Sequence, residues 1–139
     1  MNSETNNLFA NRYMGLSTYE DLVDWAISCL EANLDSKNIR ILASMRTSLY
    51  PSEVEFYFKR CLQDLGWTIP DQRECLLNYT RYIAEQIVSG DLPPAAGAVK
   101  MHHLSTELGH PRELSAWCYL DEESDEEIRN EAARFLNEV

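Results

Sequence analysis

With 139 residues, the chain is long enough for one domain with a buried core, and its 45% hydrophobic and 25% charged residues exclude wholesale disorder. The net charge of −11, from 12 Lys and Arg against 23 Asp and Glu, repels phosphate and so disfavours binding to nucleic acid or to anionic lipid. The same charge is compatible with a basic partner protein, although solubility alone also explains it.

The sequence also predicts a compartment. No apolar run approaches the roughly 20 residues of a membrane span, and the opening lacks the basic head and apolar block of a secretory signal. Four cysteines lie singly in helical patterns, without a C-x-x-C pair: Cys29, Cys61, Cys75 and Cys118. They predict buried free thiols of a reducing compartment, with a disulfide pair left open, and we therefore expect a cytoplasmic protein.

Residues 1–16 predict an N-terminal arm, helical or extended, followed by a helix. A capping box formed by Ser17 and Glu20 predicts the start of that helix, which continues to about Asn33. The arm is expected to lay its apolar side chains over the body: Leu8, Phe9, Tyr13 and Leu16.

Two further helices are predicted before the middle of the chain. Asp35 or Ser36 caps a helix of about three turns. Pro51 suits the first turn of the next helix, where its missing N–H costs nothing, and Gly66 predicts its end.

Residues 72–89 predict a central helix. Asp71 and Glu74 form a capping box at its start, and Gly90 can adopt the left-handed conformation of a C-cap. Its polar residues fall on one narrow stripe, so most of its surface is apolar and must be covered on more than one side. Among the side chains expected to be buried are Leu76, Leu77, Ile83, Ile87 and Val88.

The last third of the chain predicts three more helices. The first covers about 95–108, and Gly97 would let it approach a neighbour closely, most simply the central helix. Ser124 with Glu127 caps the last helix. A helix between them is predicted to carry Leu114, Trp117, Cys118 and Leu120.

These elements predict an all-α fold. About seven helices with short connectors favour antiparallel neighbours in a single domain, residues 1–139. The pattern leaves open whether they close into a bundle or form a short α-α superhelical stack around the helix at residues 72–89.

The titratable residues predict no reaction. His103 and Glu107 are spaced to share a metal ion on a helix, but no third ligand is suggested by spacing. His110 precedes a proline and is expected to be a loop residue, and the cysteines are expected to be too buried to act as nucleophiles. Phosphate-binding loops and hydrolase motifs are absent. The sequence therefore predicts no catalytic residue, no metal site and no cofactor.

An acidic run at residues 121–127 is the first candidate for binding. It carries six carboxylates without an intervening base. The three in the first turn of the last helix favour the helix dipole, which gives them a structural role. The others have no such assignment and are candidates for contact with a cationic partner: Asp121, Glu122 and Glu123.

Phe56 is the second candidate. Helical spacing places it on the polar face of its helix, among charged residues. We expect another segment to cover it, either Trp67 or the N-terminal arm. The alternative is an exposed aromatic side chain of the kind found at the centre of interfaces.

The second half of the chain has a recognisable pattern. Ile87-x-x-Gly90-x-Leu92-x-Pro94-x-x-Gly97 is followed by Leu114-x-x-Trp117 and by Glu127-Ile128-x-x-Glu131-Ala132-x-x-Phe135-Leu136. This pattern resembles small helical bacterial proteins of uncharacterised function, some of which are immunity-type or accessory proteins. The resemblance implies a helical fold and a binding role, and it brings no catalytic residue with it.

Three functional hypotheses follow. The first is an acidic protein-binding module, for instance an inhibitor or immunity-type partner of a basic protein. The second is a small-molecule-binding or catalytic domain with a pocket between helices, near Tyr79, Tyr82 and His102. The third is a structural or oligomeric role, with Phe56 or Trp67 at a self-contact.

Overall fold

The fold of this chain is all-helical, as its sequence predicts. The computed structural model describes residues 1–47, 50–120 and 123–138, and these ranges contain seven α-helices, one 3-10 helix and no strand. None of these helices combines the length and the apolarity that crossing a bilayer requires. The helices form two compact units, residues 1–71 and residues 72–139, so each is described by itself. Antiparallel packing, and the choice between a bundle and a stack, stay predictions.

The first unit contains four helices. They are α1 (Ser3–Tyr13), α2 (Tyr19–Glu31), α3 (Lys37–Ala43) and α4 (Pro51–Leu65). Helix α3 packs against both α2 and α4, and α1 packs against α2. The predicted arm is therefore mainly a helix, which buries Leu8 and Phe9. Leu16 lies beyond the end of α1 and is exposed, so the expectation that it covers the body is wrong.

Helix α2 differs from its prediction at both ends. The capping box is formed one residue later, because Thr18 accepts the N–H of Asp21 while the Asp21 carboxylate accepts the N–H of Thr18 at 2.8 Å. The helix ends at Glu31 because Asn33 has a left-handed backbone, with φ of 63°, which cannot continue an α-helix.

Other predicted helix ends are confirmed. The hydroxyl of Ser36 accepts the N–H of Ile39 at 3.1 Å and so caps α3. Helix α4 begins at Pro51 and ends before Gly66, whose φ of 69° is the left-handed C-cap.

The core of the first unit is an aromatic cluster joined to a short polar chain. Phe58 packs against Phe9, with ring centroids 5.6 Å apart, and edge-to-face against Trp25 at 5.0 Å. The indole N–H of Trp25 donates to the hydroxyl of Thr5 at 2.8 Å, and Thr5 in turn donates to Asn2, the N-cap of α1. The buried indole N–H and the buried hydroxyl therefore both have partners.

The second unit contains three α-helices and the 3-10 helix. They are α5 (Gln72–Ser89), α6 (Pro94–Glu107), the 3-10 helix (Arg112–Cys118) and α7 (Asp125–Glu138). Helix α5 packs against α6 and α7, and α6 also packs against α7 and the 3-10 helix. The bounds of α5 are those predicted, and its Leu76, Ile83 and Ile87 are buried. Val88 is exposed, so its expected burial is wrong.

The close approach predicted at Gly97 is confirmed. A Cβ atom at this position would lie 2.5 Å from Cδ1 of Ile87, a residue of α5, closer still to its Cγ1, and 3.3 Å from Leu92. Real Cβ atoms essentially never come within 3.0 Å of such neighbours. Only glycine therefore allows α6 to lie this close to α5.

Candidate functional site

An open groove lies between the 3-10 helix and α7 in the second unit. It encloses about 600 Å³. One wall carries apolar and aromatic side chains and the other carries mainly carboxylates: Ala116, Tyr119, Leu120, Glu123, Glu127, Asn130, Glu131 and Arg134. We call it the α7 groove.

The apolar wall rests on a well-anchored segment. Leu114 and Trp117, three residues apart, are fully buried, as expected for residues that eclipse each other on a 3-10 helix. Tyr119 follows this helix, and its side chain is 78% exposed. The Tyr119 side chain is therefore exposed to solvent, while the buried Leu114 and Trp117 hold the backbone that precedes it.

The acidic wall follows one face of α7 and the turn before it. Glu123, Glu127 and Glu131 recur at intervals of four residues, which places them along the same side of a helical path. The adjacent face of α7 holds the helix to the unit through Ile128, Ala132 and Phe135, all buried. Glu123 and Glu127 are exposed, where a partner can reach them, whereas the Glu131 side chain is only 13% exposed.

Arg134 is the one cation among the groove residues that the structure describes, and it is already paired. Its Nη1 donates to both carboxylate oxygens of Glu138 at 2.7 Å, and its Nε donates to Glu131 at 2.8 Å. These hydrogen bonds, first from Glu131 and then from Glu138, raise the pKa of Arg134 above its ordinary value. Two carboxylates share this guanidinium, so the groove keeps a negative charge.

The predicted acidic residues are only partly within the structure. Glu123 is exposed and lines the groove, whereas Asp121 and Glu122 lie outside the described residues. Glu127 was given only a helix-dipole role by the sequence, yet its side chain also lines the groove. Tyr119 was missed altogether. The feature that could have identified it is its position in the sequence, directly after the segment that buries Leu114 and Trp117 and off their buried face.

No family model, curated protein or solved structure matches this chain. The resemblance to immunity-type or accessory proteins accordingly stays a prediction.

Phe56 lies on α4, in the first unit. Its ring meets Tyr57 edge-to-face, with centroids 5.2 Å apart, and the guanidinium of Arg60 lies 4.6 Å from its centroid. Both neighbours belong to the same helix, and 49% of Phe56 is exposed. Because half of the side chain is exposed, the expectation that another segment covers Phe56 is wrong. A role of Phe56 in binding stays a prediction.

The other predicted chemical groups do not assemble into a site. His103 Nε2 lies 3.3 Å from the Glu107 carboxylate, but no group of three or more His, Cys, Asp or Glu within the described ranges could hold a metal ion. Tyr79 and Tyr82 stack with centroids 6.1 Å apart, and Tyr79 is buried. Neither tyrosine lines the α7 groove.

Three of the four cysteines are buried, as expected. Burial raises the pKa of Cys29 and Cys75 to about 11 and that of Cys61 to about 12. Smaller contributions come from Glu4 at Cys29 and from Asp64 at Cys61. Cys118 is the exception, because it is only partly buried, and the prediction that its thiol is buried is therefore wrong.

Proposed function

We propose that this chain is an acidic protein-binding module, and that the α7 groove receives a basic segment of a partner protein. The observation that carries this proposal is that the exposed Tyr119 lines the same groove as the carboxylates of Glu123, Glu127 and Glu131. With such a surface, the chain would act as an inhibitor or immunity-type partner of a basic protein.

The chemistry of the two walls favours Arg and Lys side chains. An aromatic face attracts a guanidinium or ammonium group, and carboxylates accept charge-assisted hydrogen bonds from the same groups. A long cationic side chain has an apolar stem as well, which can pack on Tyr119 and Leu120. The groove therefore matches both parts of an Arg or Lys side chain.

The distribution of charge adds to this preference. Residues 72–139 contain thirteen acidic residues and six basic ones, so the unit that carries the groove is itself acidic. A field of this sign speeds the approach of a basic partner and weakens as salt increases. Small apolar metabolites, by contrast, bind in enclosed pockets, and the α7 groove is open to solvent.

A binding titration tests the proposal. The fluorescence anisotropy of a labelled arginine-rich peptide would be measured with the intact protein at low and high salt. We expect binding at low salt, and we expect Glu123→Gln with Glu127→Gln to raise Kd about tenfold because two groove carboxylates are lost. Tyr119→Ala is expected to weaken binding without changing the charge.

A charge-matched control separates the groove from the net charge. Glu31→Gln with Glu53→Gln removes the same two charges from exposed positions on α2 and α4. We expect this control to raise Kd less than about threefold, through long-range attraction alone. Equal losses in both double variants, or no binding at low salt, would contradict the proposal.

A further inference from the structure

Cys118 belongs to a polar cluster that the binding surface does not use. Its Sγ lies 3.7 Å from Nδ1 of His110 and 3.7 Å from the hydroxyl oxygen of Ser105. Both distances are within the range of hydrogen bonds to sulfur. An imidazole and a hydroxyl therefore contact the same thiol.

The end of α6 holds this cluster in place. Gly109 and His110 both have left-handed backbones, with φ of 77° and 55°, and the N–H of His110 donates to the carbonyl of Ser105 at 2.7 Å. Ser105 is fully buried, so it fixes the backbone of His110 through its carbonyl while its hydroxyl contacts the thiol. A histidine in this conformation is uncommon and is maintained here by the surrounding structure.

The remaining cysteines give an internal comparison. Cys29, Cys61 and Cys75 are at most 2% exposed, and their raised pKa values disfavour the thiolate, the reactive form. Cys118 is partly exposed and has an imidazole beside it. Thiol reactivity depends on access and on a neighbouring base, and Cys118 alone among the four combines the two in the described residues.

We propose that Cys118 is an oxidation site, at which His110 serves as the base and a hydroperoxide oxidises the thiol to a sulfenic acid. This proposal does not rest on the binding function of the α7 groove. It assigns a chemical role to the His110 loop, which the sequence identified only as a connector.

The oxidation balances with hydroperoxide as the co-reactant. His110 takes the thiol proton, and the sulfur attacks one peroxide oxygen, so that an S–O bond forms as the O–O bond breaks. Sulfur loses two electrons and the peroxide gains them. The leaving hydroxide, or alkoxide, takes the proton from His110 and departs as water or alcohol. The product is a sulfenic acid that thiols can reduce.

Trapping of the sulfenic acid tests the proposal. The intact protein would be exposed to hydrogen peroxide with dimedone present, and adduct formation at each cysteine would be followed by peptide mass spectrometry. We expect Cys118 to be labelled at least about tenfold faster than the three buried cysteines, because they lack both access and a base. His110→Asn is expected to slow labelling of Cys118 by about tenfold or more, because asparagine accepts the left-handed backbone but cannot act as a base.

The control is His103→Asn, which removes an imidazole paired with Glu107 and should leave the labelling rate unchanged. Circular dichroism establishes that each variant is folded, and His110→Gly replaces His110→Asn if the latter loses helix. Similar labelling of all four cysteines in the folded wild type, or an unchanged rate in the folded His110 variant, would overturn the proposal.

Discussion

Gly97→Ala is expected to destabilise the protein by up to about 2 kcal/mol, although alanine is the better helix former. Alanine gains about 1 kcal/mol of helix propensity over glycine, whereas overpacking a core costs about 1–3 kcal/mol. The added Cβ would lie 2.5 Å from Cδ1 of Ile87, which is fully buried and, as a β-branched residue in a helix, has little rotamer freedom. Steric overlap therefore outweighs propensity.

The sign of this effect should reverse when the clash is removed. In an Ile87→Ala background, Gly97→Ala no longer meets the Ile87 side chain and should stabilise the protein by up to about 1 kcal/mol. Ala96→Gly, at an exposed position of the same helix, measures the propensity difference without the contact. Urea denaturation followed by circular dichroism gives the free energy of unfolding of Gly97→Ala, Ile87→Ala, their double variant and Ala96→Gly. Stabilisation by Gly97→Ala in the wild-type background would contradict the close approach of α6 to α5.

The two buried threonines, Thr5 and Thr80, are expected to respond differently to valine. Thr5→Val removes the acceptor of the Trp25 N–H and should cost about 1–3 kcal/mol, the penalty for a buried donor left without a partner. The hydroxyl of Thr80 donates to the carbonyl of Leu76 within its own helix at 2.7 Å, and that carbonyl keeps its place in the helix without it. Thr80→Val should therefore change stability by less than about 0.5 kcal/mol.

Comparison of these two variants controls for the change of side chain, since both replace a fully buried hydroxyl by a methyl group. Denaturation curves for Thr5→Val, Trp25→Phe and their double variant would give the coupling between the two residues, expected at about 0.5–1.5 kcal/mol. Equal responses of Thr5→Val and Thr80→Val would show that the Thr5–Trp25 hydrogen bond contributes nothing particular.

Helix ends were predictable because the residues that form them act locally. Ser36, Pro51, Gly66 and Gly90 each satisfy or terminate a helix through their own backbone or side chain, and the structure places a helix end at each. The shift of the capping box to Thr18 has an equally local reason. Ser17 and Thr18 are consecutive hydroxyl residues, and Glu20 and Asp21 are consecutive carboxylate residues. The capping box can therefore form from either pair three residues apart, and the sequence does not distinguish between the two.

Features that depend on tertiary contact were not predictable. The contact between Cys118 and His110 requires the chain to turn at Gly109 and to return along the 3-10 helix. Likewise, Tyr119 was not recognised as a groove residue because a helical pattern shows which residues are apolar, not which of them remain uncovered. The wide apolar surface of α5 predicts that more than one helix covers it, but such a pattern carries no information on which helices these are.

Nuclear magnetic resonance tests most directly whether the α7 groove is the binding surface. Backbone amide shifts of the isotope-labelled protein would be recorded during titration with the arginine-rich peptide. We predict that the largest changes occur around Tyr119, Glu123 and Glu127 and that they disappear at high salt. Changes centred on Phe56 and Arg60, or spread evenly over all acidic residues, would contradict this account.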